Sequence, residues 1–228
     1  MISSRRLVES SGNFWRDLTP LLPNYVKHVN MGGYERYDPP IRSGTEKARH
    51  FLVNELAFTC FSQGLLPQSE QAASAYELLQ KKWLARLPTN LWIDTPLTPD
   101  EIGDLTSLVY RLSTYSRMLK LAGASFEHVV PAVGRLEAVE IDILTDHAIC
   151  EVKAGERPFR SIDFRQLIVA LIALGSGRGS NTLMLINPRE GLVWSELAKE
   201  FVEAVSLRPL PEFFGDSVYE LSEVGLSA

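Results

Sequence analysis

With 228 residues, 45% of them hydrophobic and 22% charged, the chain has length enough for one domain with a sizeable core, or for a small domain plus an appendage. Lys and Arg number 23 against 28 Asp and Glu, and the net charge of −5 argues against a protein that coats nucleic acid non-specifically. The longest apolar run, Leu167 to Leu174, is too short to cross a bilayer, and the first residues hold no apolar stretch of signal-peptide length. A cytoplasmic location with no membrane partner is therefore expected. Cys60 and Cys150 fall in an expected helix and an expected strand and read as reduced core residues, without Cys or His at zinc-ligand spacing.

In chain order, residues 24–44 contain Gly32-Gly33, Pro39-Pro40 and Gly44 and are expected to form a loop. A helix is expected from about Thr45 to Ser62 with Ala48, Phe51, Leu52 and Leu56 inward. A second should run from about Gln68 to Arg86, where Ala72, Tyr76, Leu79 and Trp83 recur at helical spacing. Pro88 to Pro99 reads as a connector, dividing a helical region, 1–97, from a mixed region, 98–228. Thr98-Pro99-Asp100-Glu101 is a capping box with Pro at the first helical position. The helix it opens should reach about Leu121, with Ile102, Leu105, Val109, Leu112 and Tyr115 as its inner stripe. A strand near 126–133, hairpin arms near 136–145 and 148–154, and a helix over 161–174 follow. A strand over 182–186 and a helix over about 193–205 complete the pattern.

The hairpin is the most informative part. With Asp146-His147 as its turn, 143 faces 150, 142 faces 151, 141 faces 152 and 140 faces 153. Ile141, Ile143, Cys150 and Val152 would then share a core face. Asp142, Glu151, Glu140 and Lys153 would share the other, with Lys153 opposite Glu140. Two like charges directly opposite destabilise a sheet. A hard divalent cation reverses that penalty, because paired carboxylates suit Mg²⁺.

Asp142 followed by Glu151-Val152-Lys153 resembles the PD-(D/E)xK nuclease superfamily over roughly residues 98–190. The resemblance implies a restriction-endonuclease-like α/β fold, a mixed sheet core flanked by helices, here with a helical N-terminal region. It also implies Mg²⁺ or Mn²⁺ held by Asp142, Glu151 and the Val152 carbonyl. Lys153 would orient or deprotonate the attacking water, or neutralise charge on the phosphate. Gln166 matches a helical glutamine that reaches the metal site or substrate backbone in many members, whereas Ala170 stands where some branches carry tyrosine. Glu140 and Asp104 are candidate additional acids, and Glu140 serves alternatively as the partner of Lys153.

Arg157, Arg160, Arg165 and Arg178 give the stretch after the hairpin a local positive excess suited to substrate phosphates. The expected function is Mg²⁺-dependent phosphodiester hydrolysis, of DNA before RNA, with homodimerisation left open. A nuclease of structured RNA and an inactive scaffold binding nucleic acid or protein are the alternatives. Gly175 to Ser180 lacks the P-loop lysine and reads as a connector, and no Gly-x-Ser-x-Gly elbow is present.

Overall fold

The computed structural model describes residues 1–10, 13–42, 44–45, 47–65, 96–175, 177 and 181–223. The helix expected at 68–86, most of the connector after it, the Ala48 side chain and Arg178 lie outside that set. Numbered through the described elements, the helices are α1 (Ser4–Glu9), α2 (Asn13–Leu18), α3 (Leu22–Asn30), α4 (His50–Gln63), α5 (Pro99–Met118), α6 (Ser161–Leu174), α7 (Ala198–Ser206) and α8 (Leu210–Glu223). The strands are β1 (Glu35–Arg36), β2 (Ser125–Val130), β3 (Val139–Leu144), β4 (Ala148–Val152), β5 (Thr182–Asn187) and β6 (Leu192–Leu197). They form one mixed sheet in the order β1-β6-β5-β4-β3-β2, with β4 and β5 parallel and the other neighbours antiparallel. Helix, three strands, helix, strand is the order expected for residues 98–190.

Helix α6 is the right crossover between β4 and β5 because nearly all of it is apolar and buried. Phe164, Leu167, Ile168 and Leu171 pack with Ile149, Leu183 and Leu185 beneath it. The sheet's other face carries Ile143, Cys150, Met184 and Ile186, which cluster with Leu112 and Tyr115 of α5. Helix α5 in turn packs against α4 through Leu105, Leu108 and Val109 meeting Leu52, Leu56 and Cys60. Among the described residues no helix is long and apolar enough to cross a membrane.

Several expectations need correction. Residues 22–30, placed mostly in a loop, form α3: Pro23 sits in its first turn, and Leu22, Val26 and Val29 make a buried helical stripe. Phe51 and Ile102, expected inward, are 53% and 41% exposed. On α5 the inner phase passes through Glu101 and Asp104, which are buried because Arg49 and Arg189 neutralise them. The helix expected from 193 begins at Ala198, and Leu192–Leu197 form β6 instead. A tight return from β5 makes this strand: Gly191 has φ +68, and a Cβ there would lie 2.0 Å from the Asp38 carbonyl oxygen.

Described residues of the N-terminal region pack with those of the mixed region. Leu7, Trp15, Leu18 and Leu22 share one buried cluster with Ile149, Leu167 and Leu183, and β1 pairs with β6.

Candidate active site

The β3–β4 hairpin closes on Thr145, whose N–H donates to the Ala148 carbonyl at 3.0 Å and whose Oγ1 accepts the Ala148 N–H at 2.9 Å. Ile143 pairs with Cys150 and Leu144 with Ile149, the register expected from the sequence. Beyond this point the strands part. A continued ladder would send the Val152 N–H to the carbonyl of residue 141. It donates instead to Asp142 Oδ2 at 2.7 Å. The expected rungs of 141 with 152 and 140 with 153 are replaced by this side-chain bond.

Strand β2 breaks regularity at the same level. Glu127 has φ +49, in the left-handed region, between the rungs Phe126–Ile143 and His128–Ile141. Ile141 and Ile143 then bury in different clusters, Ile141 with the α6 side and Ile143 with the α5 side. The single core face expected for Ile141, Ile143, Cys150 and Val152 is split at Asp142.

Glu151 projects from β4 beneath α6, its side chain only 5% exposed, and Lys153 Nζ donates to its Oε2 at 2.7 Å. That pairing replaces the expected one with Glu140. Burial raises the Glu151 pKa to about 7, Asp142 and Asp163 add to the rise, and Lys153 opposes it. Burial also works against the Lys153 ammonium, but Glu151, Asp142 and Asp163 outweigh it and hold its pKa above the ordinary value. The asymmetry follows from counting partners: the ammonium sees three carboxylates, while Glu151 sees one ammonium and two other acids. Lys153 is held charged here, as the counter-ion of an acidic cluster.

These groups form the floor of a cavity of about 650 Å³. Asp142, Glu151, Lys153, Gln166 and Glu140 all line it, as do Arg157 and Arg160. Helix α1 contributes Arg5 and Val8 to its wall, and α4 contributes Phe51, Asn54 and Phe58. The loop after Lys153 is pinned from two directions. Asn54 Nδ2 donates to the Ala154 carbonyl at 2.8 Å, while Asn187 Nδ2 reaches those of Gly155 at 2.9 Å and Arg157 at 3.1 Å.

The remaining expected site residues divide. Arg157 grips Asp163 with two bonds of 2.7 and 3.0 Å, so its charge is already matched by a buried acid. Arg160 is exposed, and its backbone N–H donates to Asp163 Oδ2 at 2.8 Å, capping α6. Arg165 is turned away: it donates to the carbonyls of Val8 and Ser10 at 3.2 and 2.9 Å and lies 5.0 Å from the Trp15 ring centroid. It fastens α1 and α2 onto α6. Asp104 is also apart, accepting from Arg189 at 2.9 Å and Thr45 at 3.1 Å rather than joining the cavity wall.

Asp163 is the site residue that sequence reasoning undervalued. Its signal was an acid in the first turn of a helix whose other polar residues are Ser161, Arg165 and Gln166. Asn54, Asn187 and Arg189 carried no sequence signal, since their partners come from distant segments.

Among the described residues no group of three or more His, Cys, Asp and Glu side chains is arranged to hold a metal ion. The donor set is smaller: the carboxylates of Asp142 and Glu151, plus the Val152 carbonyl, which faces β3 as its own N–H does. All are hard oxygens, the donor type that Mg²⁺ and Mn²⁺ take, and after burial it is the Asp142 charge that raises Glu151 most. Fold and site together define an α/β protein with a six-stranded mixed sheet and an acidic cavity at the opening of one hairpin. No protein-family model, curated protein or solved structure matches the chain.

Proposed function

We propose that the chain is a Mg²⁺-dependent nuclease of the PD-(D/E)xK kind, hydrolysing phosphodiester bonds with DNA as its favoured substrate. The observation that carries this reading is the meeting of Asp142, Glu151 and Lys153 on one cavity floor, where β3 parts from β4. The run of helix, three strands, helix and strand, with β4 and β5 parallel across α6, supports a restriction-endonuclease-like core.

Asp142, Glu151 and the Val152 carbonyl would hold the cation, which when bound acidifies water and draws charge off the phosphate. The chain's own groups do the rest. Asp142 is oriented by the Val152 N–H, so one carboxylate oxygen stays fixed while the other is directed by it. Lys153 holds a proton at Nζ and can place it against a non-bridging phosphate oxygen or a water. Gln166, from the α6 wall, can donate to the substrate backbone. Burial of Glu151 beneath α6 keeps bulk water from its carboxylate.

The direct test is a screen of single-stranded, duplex and branched DNA and of transfer RNA, in Mg²⁺ and in EDTA. Cleavage that EDTA abolishes and that requires Asp142 supports the proposal. Metal-independent cleavage removes the metal-dependent reading, and no cleavage on any substrate removes the nuclease and favours a binding scaffold.

A further inference from the structure

Asn54 lies in the interior of α4, where asparagine costs the helix stability because its amide competes for nearby backbone groups. Here both ends of the amide are engaged outside the helix. Oδ1 accepts from Arg189 Nη2 at 3.0 Å, and Nδ2 donates to the Ala154 carbonyl at 2.8 Å. A guanidinium only donates, so Arg189 decides which end of the amide faces it and turns Nδ2 toward the loop after β4. The guanidinium is held in its turn: Arg189 is fully buried, and its charge is met by Asp104 at 2.9 Å. A chain of bonds thus runs from Asp104 of α5, through Arg189 between β5 and β6 and Asn54 of α4, to the residue that follows Lys153.

The end of that chain bears on the lysine. The Lys153 N–H donates to the Ile186 carbonyl at 2.8 Å, which ties its N-terminal side to β5. Asn54 ties the other side, at the next residue's carbonyl. Between these two anchors the Lys153 backbone is fixed, and its side chain leaves toward Glu151. Asn187 holds the loop farther on, at Gly155 and Arg157, with its own amide oriented by the Glu190 N–H at 3.1 Å. Asn187 closes the turn, whereas Asn54 holds the residue beside the lysine. A lysine side chain is long and rich in rotamers, so its ammonium is only as well placed as the backbone that carries it.

We infer that Asn54 is the positioning residue for Lys153, oriented for that task by the buried Arg189–Asp104 pair. Asp104, a candidate acid of the site by sequence, bears on the site in this way, from the far end of the chain of bonds. The inference rests on the nuclease reading for what Lys153 does in turnover, but the placing of its ammonium is separate from that reading. Asn54→Leu keeps a branched side chain and removes both bonds. Asn54→Asp keeps an acceptor for Arg189 and sets a carboxylate oxygen against the Ala154 carbonyl, so it breaks only the bond to the loop.

Lys153 would be acetylated with acetic anhydride in EDTA and read by mass spectrometry against the exposed Lys27, while kcat and KM are measured in Mg²⁺ on labelled DNA. Relative to Lys27, Lys153 should be acetylated about fivefold or more faster in both variants than in wild type. In both, kcat should fall about tenfold or more, and KM of Asn54→Leu should stay within about twofold of wild type. Should Asn54→Leu not fold, Asn54→Asp decides by its labelling and its kcat. Where wild type cleaves, unchanged labelling or unchanged kcat in a folded variant would overturn the inference and leave the nuclease reading standing. A rise in KM alone in Asn54→Leu would overturn it too, because that marks a direct contact with substrate. No cleavage by wild type, yet faster labelling in the variants, would remove the nuclease reading and support the placing of Lys153 by Asn54. No cleavage and unchanged labelling would overturn both.

Discussion

Asp142→Asn changes a charge and little else, which makes it the most discriminating single substitution. Asp142 Oδ2 accepts the Val152 N–H at 2.7 Å, and an amide oxygen in the same place can accept that bond. The loss is the difference between a charged and a neutral acceptor, about 1 kcal/mol. On the other side, Asp142 is the largest cause after burial of the raised Glu151 pKa, so removing its charge relieves a buried repulsion. A pKa unit is about 1.4 kcal/mol, and the relief at Glu151 is opposed both by the weaker bond and by the attraction to Lys153 that Asp142 gives up. Without divalent metal, the melting temperature should stay within about 3 °C of wild type. With Mn²⁺ at a hundredfold excess over its dissociation constant, wild type should gain about 2.7 kcal/mol. For a chain of this length that is a rise of about 5–10 °C. The variant should lose most of that rise, because one of two carboxylate ligands is gone. Thermal denaturation near pH 8 in EDTA and in Mn²⁺ measures both quantities. Equal Mn²⁺ shifts in wild type and variant would refute the placing of the cation at Asp142, and a variant several degrees less stable in EDTA would refute the charge balance.

Three further outcomes follow from the same interactions. The Glu151 pKa is raised from 4.5 to about 7, so between those values the folded protein binds more protons than the unfolded chain, and stability should fall as pH rises through that window. Glu151→Gln should flatten the fall and gain on wild type near pH 8 by up to about 3 kcal/mol, read by urea denaturation across pH; an unchanged slope would discount the repulsion. Lys153→Ala removes the cation that Glu151 contacts at 2.7 Å, and should cost about 1–3 kcal/mol in EDTA, keep the stabilisation by Mn²⁺ and abolish turnover. Retained cleavage would remove Lys153 from the chemistry. Arg189→Met leaves Asp104 as an uncompensated buried charge and should cost about 3–5 kcal/mol in urea denaturation, with partial recovery when Asp104→Asn is added; a cost under about 1 kcal/mol would show that the ion pair does not hold α5.

The hairpin was legible because strand alternation and a two-residue turn fix facing residues locally, and Ile143–Cys150 and Leu144–Ile149 pair as that logic requires. It stopped being legible at Asp142, where a side chain displaces a backbone acceptor, an outcome that periodicity does not encode. Lys153 shows the same limit: facing position suggested Glu140, while burial and the crowd of acids around Glu151 drew the ammonium along its own strand. Helix α6 was legible from its apolar run. Strand β6 was not, because Leu192 to Leu197 suit a strand or a helix equally until β5 and β1 lie beside them. The inner phase of α5 was misread at Ile102 because Glu101 and Asp104 are buried by arginines remote in sequence, Arg49 and Arg189. Arg165, read as a phosphate ligand from its charge, became an anchor for α1 because its reach ends at carbonyls of Val8 and Ser10.

The most direct measurement is cleavage of a labelled DNA strand in Mg²⁺ by wild type, Asp142→Asn and Lys153→Ala, each shown to be folded. Cleavage by wild type alone, abolished by EDTA, is the expected result, with both variants reduced by at least about a hundredfold. Cleavage at similar rates by all three proteins would contradict a phosphodiester chemistry centred on Asp142, Glu151 and Lys153.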